Sequence, residues 1–355
     1  MNFTFRGVSI RGVLTVVPAN VRKFDDELGN FAFPPEKSLR LKSVMGFDRH
    51  RIVAADECAS DLCVFGLEKL VGEGRLDPAS VDALILVTQS PDQFLPPTSN
   101  LIQARLGLPQ ECLCLDINQG CAGYVVGLVE AALLLSQESV RTVVLLNADT
   151  LSRRVSRQDR STYPIAGDAA AVTIVVRDPA SGPIHANVRM DGARAGALTI
   201  PAGGFRLPSS AETAALHDCG DGNLRSLDHL AMDGTAVFNF VQTEVPPLIE
   251  DLLTRAGATK DEVDAFVFHQ PNRFMLEKLA DKLRVPREKL PSNVVESYGN
   301  ASGVTIPTNL CHNFGERLAA SRLRLCLAGF GAGLTWASML LDAGPLEFCE
   351  VAEYP

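Results

Sequence analysis

The segment SVDALILVTQS, residues 80–90, has a counterpart in EVDAFVFHQPN, residues 262–272. In each copy a Val-Asp-Ala start leads into a short apolar run, which predicts a buried β-strand. A second match follows, with TVVLLNADT at 142–150 in the first copy and LRLCLAGFG at 323–331 in the second. An internal repeat on this scale predicts a duplication that produced two similar α/β halves.

The boundary between the halves is predicted from composition. RDPASGPIHA, residues 177–186, is rich in turn-forming residues. We therefore take residues 1–180 as the N-terminal half, which carries the candidate nucleophile described below, and residues 181–355 as the C-terminal half. Residues 190–230 are rich in Gly, Ala, Ser and Pro and predict a loop-rich insertion over a site, with a mobile linker as the alternative.

Within the N-terminal half, short apolar strands alternate with longer helical segments. The predicted strands are ALILV at 83–87, CLCLDI at 112–117, TVVLLNA at 142–148 and AAAVTIVV at 169–176, and the predicted helices include 56–72 and 121–135. These strands are apolar on both faces, which is typical of a sheet covered by helices on each side. The fold class is therefore α/β.

Composition excludes several classes of protein. The chain has 355 residues, of which 46% are hydrophobic and 21% charged, and its net charge of -9 argues against a nucleic-acid binder. No run is long enough to span a membrane and the N-terminus lacks an apolar signal region, so we expect a cytoplasmic protein. The nine cysteines are scattered through apolar runs, which indicates reduced thiols.

One of these cysteines stands at an unusual junction. In DINQGCAGYVVGLVEAALLL, residues 116–135, a predicted strand ends, a turn follows, and Cys121 precedes a helix that is apolar nearly all round. This arrangement resembles a nucleophile elbow. The helix N-terminus favours a thiolate, so we expect the pKa of Cys121 to be lowered. The alternative is a small buried hydrophobic residue at a helix start.

Partners for this thiol are predicted in the second half. His269 directly follows the predicted strand AFVF, at the end where α/β folds place their sites. Asn300 lies 36 positions after Asp264, as Cys121 lies 39 positions after Asp82, so the repeat places Cys121 and Asn300 at equivalent points. A structural histidine and a turn asparagine are the alternatives.

These residues carry a resemblance to a known family. DINQGCAGY, FHQPN, YGNASGVTIP and GFGAGLTW, in this order and at these separations, resemble the ketoacyl-ACP synthase III branch of the thiolase superfamily. The resemblance implies a five-layered αβαβα fold, a homodimer, and a catalytic set of Cys121, His269 and Asn300. It also implies an oxyanion hole formed by the N–H groups of Cys121 and Ala332, where the family usually has glycine at the second position.

The implied activity is that of an acyltransferase in fatty-acid or specialised lipid or polyketide biosynthesis. Cys121 would take an acyl group from a CoA or acyl-carrier-protein thioester, and a decarboxylative Claisen condensation with a malonyl thioester would follow. Neutral His269 and Asn300 would stabilise the enolate, and no cofactor or metal is implied. Two alternatives are an acyltransferase that passes the acyl group to an amine or alcohol, and a non-catalytic dimer partner.

Further positions follow the family less specifically. By resemblance, Gly234, Phe238, Asn272 and Phe330 line the substrate channel or its entrance, and Phe94 and Leu95 close the acyl pocket of a partner subunit. The tryptophan that stacks on adenine in CoA-primed members is missing near the N-terminus, because the one tryptophan is Trp336. The basic residues of that region either hold phosphates or form a solvated rim; they are Arg40, Lys42, Arg49 and Arg51.

Overall fold

The structure is a computed structural model, and it describes residues 1–220 and 222–355. The helices are α1 (Pro35–Met45), α2 (Ala59–Gly72), α3 (Thr98–Leu106), α4 (Gly123–Leu135), α5 (Ala211–Ala214), α6 (Gly234–Ala256), α7 (Arg273–Leu283), α8 (Val294–Tyr298) and α9 (Thr305–Ala320). The strands are β1 (Asn2–Phe5), β2 (Val8–Pro18), β3 (Val21–Lys23), β4 (Arg49–Arg51), β5 (Ala83–Val87), β6 (Leu113–Ile117), β7 (Thr142–Asp149), β8 (Ala169–Arg177), β9 (Ile184–Met190), β10 (Leu198–Thr199), β11 (His217–Asp218), β12 (Leu224–Arg225), β13 (Ala231–Met232), β14 (Ala265–Phe268), β15 (Leu323–Gly331), β16 (Thr335–Ala343) and β17 (Phe348–Tyr354).

Two large sheets carry the repeat. The first has six strands in the order β17-β2-β8-β7-β5-β6, and the second has five in the order β1-β9-β16-β15-β14. In the first sheet β5 pairs in parallel with β7, and β7 pairs antiparallel with β8. In the second sheet β14 pairs in parallel with β15, and β15 pairs antiparallel with β16. The segments matched in the sequence therefore occupy corresponding places in the two sheets.

The chain termini cross between the sheets. Strand β1 pairs with β9 in the second sheet, whereas β17 pairs with β2 in the first. The predicted boundary falls between β8 and β9, which end and begin at Arg177 and Ile184. Each half thus contributes its terminal strand to the sheet of the other half. The division of the chain at residue 180 stays a prediction.

The layers follow from the apolar clusters. Helices α4 and α9 contribute to one cluster together with strands of both sheets, so they lie between the sheets. Helix α2 packs on the outer face of the first sheet, and α6 and α7 pack on the outer face of the second. This is the five-layered αβαβα arrangement of the thiolase fold, and the predicted fold class is confirmed.

Helix α4 is central because it is apolar nearly all round. Val125, Leu128 and Val129 are all buried, and each such side chain contributes about 1.5–3 kcal/mol when it leaves water. Gly127 allows the helix to approach the sheet, since a Cβ there would lie 2.6 Å from Leu145 Cδ1. This packing holds the start of α4, and with it Cys121, between the two sheets.

Residues 190–230 have the predicted loop-rich character. In the part of this range that the structure describes, the elements are short: the end of β9, a 3-10 helix at Gly192–Ala197, β10, α5, β11 and β12. Phe205 in this region is 92% exposed and contacts Phe94, with ring centroids 5.6 Å apart. The region therefore lies over the loop that carries Phe94 and adds little to the core.

The structure also bears on the predictions about the cysteines and about membrane-spanning segments. All nine cysteines are free thiols, as predicted. Among the described residues, no helix combines the length and apolar character that crossing a membrane requires.

Candidate active site

Cys121 lies in the turn between β6 and α4. The chain leaves β6 at Ile117, and α4 begins at Gly123. Gly120 closes the turn by accepting a 2.6 Å hydrogen bond from the Gly123 N–H, and a Cβ at Gly120 would collide with Gln89 Oε1 at 2.3 Å. Cys121 is partly exposed as a residue, whereas most of helix α4, which follows it, is buried.

The turn after β15 approaches the same sulfur. A Cβ at Gly331 would lie 2.8 Å from both Cβ and Sγ of Cys121, so only glycine fits at this position. The next residue is Ala332, and hydrogen bonding from the N–H groups of Ala332 and Cys121 lowers the pKa of the Cys121 thiol. Two backbone donors thus converge on the sulfur, and alanine supplies the second N–H as well as glycine would.

Burial has a larger effect on the pKa of Cys121 than these two donors have. The pKa of Cys121 is raised from 9.0 to about 11, chiefly by desolvation, and the nearby carboxylate of Asp149 raises it further. The expectation of a lowered pKa is therefore wrong for the free protein. The helix N-terminus was correctly located, but the sulfur sits where a charge loses its hydration, and that cost is the larger effect.

His269 follows β14 as predicted and is 2% exposed. Its backbone N–H donates to the Ala328 carbonyl at 2.8 Å, which ties the residue to β15. Its Nδ1 lies 2.7 Å from the Thr305 hydroxyl. Desolvation lowers the pKa of His269 to about 3, so the imidazole is neutral at physiological pH.

Asn300 follows α8, and both its backbone N–H and its backbone carbonyl form hydrogen bonds. Its N–H donates to the Ile165 carbonyl at 2.6 Å, and its carbonyl accepts from the Gly167 N–H at 3.2 Å. Its side-chain oxygen accepts a 2.9 Å hydrogen bond from the Ser302 N–H. With the oxygen engaged, the amide nitrogen is the end of the side chain left to donate to a substrate.

Ser302 connects the three predicted residues. Its Oγ lies 3.8 Å from Cys121 Sγ, and its N–H holds Asn300. Its carbonyl accepts a 3.0 Å hydrogen bond from Thr305, the residue that contacts His269. Sequence reasoning missed Ser302, although its place two residues after Asn300 in YGNASG was a usable signal.

The second residue missed from the sequence is Asp149, at the end of β7. It is 2% exposed, and its Oδ1 accepts from the Gln89 N–H at 2.7 Å and the Ser90 hydroxyl at 3.2 Å. Burial raises the pKa of Asp149 from 3.8 to about 7. A polar residue at a strand end was the signal that identified His269, and the same signal applies to Asp149.

The predicted substrate-lining residues fall into two groups. Phe330 lies in β15, is 2% exposed, and packs edge-on against the His269 ring with centroids 5.6 Å apart. Gly234 is exposed at the first turn of α6, and Phe238 in the same helix stacks on Phe274. Asn272 caps α7 by accepting a 2.8 Å hydrogen bond from the Met275 N–H. Phe330 thus contacts a predicted catalytic side chain, whereas the other three residues lie on α6 or at the start of α7.

Three of the four basic candidates near the N-terminus are engaged in ion pairs. Lys42 contacts Asp25 at 2.8 Å and Asp48 at 2.6 Å, and Arg49 also contacts Asp48. Arg51 pairs with Glu353 at 2.9 Å. Arg40 is exposed on α1. These pairs fit the solvated-rim interpretation for Lys42, Arg49 and Arg51.

Comparison with known families places these residues in matched regions. The family described as "3-Oxoacyl-[acyl-carrier-protein (ACP)] synthase III" matches residues 115–192, and the corresponding C-terminal family matches residues 253–343. The first range contains Cys121 and Asp149. The second contains His269 and Asn300.

Individual proteins match over most of the chain. A beta-ketoacyl-[acyl-carrier-protein] synthase III of Streptococcus suis is 32% identical over 304 residues, which cover 85% of this chain and 89% of that protein. The enzyme of the same name from Gloeobacter violaceus is 31% identical and covers 86% and 90%. The crystal structure of a 3-oxoacyl-(acyl-carrier protein) synthase from Burkholderia xenovorans has a TM-score of 0.92 and 36% identity, and covers 100% of this chain and 99% of that one. The chain belongs to the 3-oxoacyl-[acyl-carrier-protein] synthase III family of condensing enzymes.

Proposed function

We propose that this protein is an acyltransferase that condenses a Cys121-bound acyl group with a malonyl thioester, releasing CO2. The observation that carries the proposal is that Cys121 and Asn300 both contact Ser302, and that His269 is connected to the same residue through Thr305. The names of the relatives, which are beta-ketoacyl-[acyl-carrier-protein] synthases III, support a condensation reaction.

In the first stage the Cys121 sulfur attacks the carbonyl carbon of an acyl thioester. The tetrahedral intermediate carries a negative oxygen, which needs donors fixed in advance. We assign this role to the N–H groups of Cys121 and Ala332, whose hydrogen bonding to the sulfur supports a position beside the reacting carbon. Gly331 keeps the space next to the sulfur free of side-chain atoms.

In the second stage loss of CO2 from the malonyl thioester leaves an enolate. A neutral imidazole and an amide nitrogen can donate to the enolate oxygen without the repulsion that a carboxylate would cause. The lowered pKa of His269 supports this role because it keeps the ring neutral, and the Ser302 N–H orients Asn300. The enolate carbon then attacks the acyl group on Cys121.

We propose that an acyl-carrier protein delivers at least the malonyl group to this enzyme. Adenine stacking of the kind seen in CoA-primed members needs an exposed tryptophan, but Trp336 is 6% exposed and packs on Phe240. A cavity of about 500 Å³ lined by Arg22, Arg153 and Arg157 offers cationic groups to a phosphate-bearing arm. Whether the priming acyl group arrives on CoA or on the carrier protein is decided by the experiment below.

A homodimer is also proposed. Strand β6 lies at the edge of the first sheet, and its Leu113 and Leu115 are 45% and 36% exposed. An exposed apolar edge strand is a surface that proteins normally cover. Phe94 and Leu95 are 70% and 83% exposed on a nearby loop, in keeping with insertion into a partner subunit.

The test is a reconstitution with defined thioesters. The protein is incubated with a panel of acyl-CoA and acyl-ACP donors and with [1,3-14C]malonyl-ACP, and both released CO2 and the product mass are recorded. Condensation predicts equal amounts of CO2 and β-ketoacyl product. Acylation of Cys121 without CO2 release, followed by transfer to an added amine or alcohol, would overturn the proposal.

A further inference from the structure

His50 is a buried histidine of β4 that lies beside the segment carrying Asn300. It is 1% exposed. Gly299, the residue before Asn300, has a φ of 79°, and a Cβ there would lie 3.0 Å from His50 Cβ and 2.9 Å from Gly167 Cα. Only glycine fits where these three backbones meet. His50 therefore packs directly against the chain that leads into Asn300.

The backbone of Asn300 is held by the segment 165–167. The two pieces of chain form an isolated parallel bridge in which Asn300 is opposite Ala166. The Asn300 N–H donates to the Ile165 carbonyl at 2.6 Å, and the Asn300 carbonyl accepts from the Gly167 N–H at 3.2 Å. These two bonds fix the backbone from which the Asn300 amide projects. The position of that amide therefore depends on where the segment 165–167 lies.

Ala166, the middle residue of this segment, bonds to other partners through its own N–H and carbonyl. Its N–H donates to the Thr162 carbonyl at 3.2 Å, and its carbonyl oxygen lies 2.6 Å from His50 Nδ1. A carbonyl oxygen can only accept, so the proton of this bond is on Nδ1. Because Ala166 is buried, its carbonyl needs a donor within the protein, and His50 supplies one.

The other ring nitrogen of His50 contacts a buried carboxyl group. Nε2 lies 3.2 Å from Glu27 Oε2, and Glu27 is 9% exposed. The second oxygen of Glu27 accepts a 3.1 Å hydrogen bond from the Tyr163 hydroxyl, which accepts a 3.0 Å bond from Arg22. The Tyr163 ring also packs edge-on against the His50 ring, with centroids 5.4 Å apart. Contacts at both nitrogens and at the ring thus fix the orientation of the imidazole.

We propose that His50 is a positioning residue for the decarboxylation stage. Through the Ala166 carbonyl it fixes the segment that holds Asn300 in place to donate to the enolate, and Glu27 orients the His50 ring for this contact. The nucleophile Cys121 is held separately, by the turn between β6 and α4. The inference rests on the proposed condensation, in which Asn300 acts only after Cys121 has been acylated. It therefore predicts an effect on the second stage and not on the first.

Two substitutions of His50 separate its two hydrogen bonds. The amide nitrogen of glutamine can take the place of Nε2, and the amide nitrogen of asparagine can take the place of Nδ1. His50→Gln therefore keeps a donor to Glu27 and loses the donor to Ala166, whereas His50→Asn keeps the donor to Ala166 and loses the contact with Glu27. Each variant removes one hydrogen bond, so a purely structural role predicts similar effects of both.

The experiment measures the two stages separately in the full-length protein. Acylation of Cys121 is followed by intact mass after a single exposure to acyl-CoA or acyl-ACP, and CO2 release from 14C-labelled malonyl-ACP is then measured on the acylated protein. We expect His50→Gln to acylate at the wild-type rate and to release CO2 more slowly by a factor of about 10 or more, because a displacement of about 1 Å can reduce a rate about 100-fold. His50→Asn should release CO2 at close to the wild-type rate.

The matched control is His185→Gln, which makes the same substitution at a ring that contacts the Thr4 hydroxyl at 3.3 Å in the second sheet. Both rates should be unchanged in this variant.

Three results would overturn the inference: wild-type CO2 release by a folded His50→Gln variant, an equal loss in both stages, or an equal loss of CO2 release in His50→Asn. If circular dichroism shows that His50→Gln does not fold, His50→Asn decides. CO2 release near the wild-type rate then supports the inference, and a loss as large as that of Asn300→Ala overturns it. Failure of the wild-type protein to release CO2 after normal acylation would instead count against the proposed function, and the inference would fall with it.

Discussion

The Nδ1 atom of His269 lies 2.7 Å from the Oγ1 atom of Thr305, whose hydroxyl also lies 3.0 Å from the Ser302 carbonyl. Thr305 has one proton to donate, and the Gln270 N–H donates to its oxygen at 3.2 Å. When the Thr305 proton is donated to the Ser302 carbonyl, its oxygen accepts from the Nδ1–H of the ring, whereas rotation of the hydroxyl toward Nδ1 places the imidazole proton on Nε2, the tautomer that can donate to an enolate. Thr305 is thus in position to select the tautomer of His269.

Replacing this hydroxyl is expected to impair decarboxylation selectively. Thr305→Val has a similar shape but no donor, so we expect CO2 release from malonyl-ACP to fall by a factor on the order of 10, while acylation of Cys121 continues. Thr305→Ser retains the hydroxyl and should preserve most of the activity. Wild-type CO2 release by Thr305→Val would show that the tautomer is set by another contact.

The catalytic set itself predicts a separation of the two stages. Cys121→Ala should abolish acyl uptake, because the nucleophile is lost. His269→Ala and Asn300→Ala should take up the acyl group and fail to release CO2, because each removes a donor to the enolate. Intact mass and 14CO2 release measure the two stages on the same samples.

A matched control for the nucleophile is Cys326→Ala, which removes a fully buried thiol in β15. It should retain acyl uptake. If Asn300→Ala condenses normally, the role assigned to Asn300 is wrong.

Access to the sulfur is expected to depend on Gly331. A Cβ at this position would lie 2.8 Å from Cys121 Sγ, so Gly331→Ala should displace the sulfur or block it. We expect acylation to fall by a factor of about 100 or more, since small displacements of a nucleophile have effects of that size. Gly204→Ala is the control, because a Cβ there meets no atom within 4 Å. Equal acylation rates in the two variants would contradict the close approach seen in the structure.

The buried carboxyl of Asp149 predicts a pH dependence of stability. Its pKa rises from 3.8 in the unfolded chain to about 7 in the folded protein, so its ionisation costs stability progressively as the pH rises from 3.8 to about 7, and the cost is constant at higher pH. Asp149→Asn removes this cost. The melting temperature of the variant relative to wild type should therefore increase from pH 5 to pH 8.

The buried His269 affects the pH dependence of folding stability in the opposite direction. Its pKa is lowered from 6.5 to about 3, so the stability that depends on its neutral form is lost as the pH falls below 6.5. In the wild type the two effects partly offset each other between pH 4 and 6.5, and in Asp149→Asn the loss on acidification should be steeper. Parallel pH profiles for the two proteins would show that Asp149 is ionised without cost.

The exposed edge strand of the first sheet, β6, predicts the interface of a homodimer. Substituting Leu113 and Leu115 together by lysine places charge on β6 and should convert a dimer to a monomer, measured by light scattering after size-exclusion chromatography. Leu133 is 40% exposed on α4, and Leu133→Lys tests whether the interface extends to that helix. A dimer that survives the β6 substitutions would place the interface elsewhere.

Much of the fold was readable from local pattern. Strand β5 has the predicted bounds, and β6, β7 and β8 differ from prediction by one residue each. Apolar runs of this length form strands wherever helices cover the sheet. One property of β6 was not predicted, the exposure of its leucines, because the sequence does not say which strand lies at an edge.

The sequence by itself determined the repeat and the α/β fold class, and it identified Cys121, His269 and Asn300 as candidate catalytic residues, because each of these follows from patterns along the chain. Only the tertiary structure decided the protonation of the site. The helix terminus that favours a thiolate is a local feature, whereas the pKa of Cys121 is raised by burial in the folded protein, where Gly331 of the other half approaches the sulfur. The same is true of Ser302 and Asp149, which lie far apart in the chain and acquire their importance only where the two sheets bring them to one sulfur.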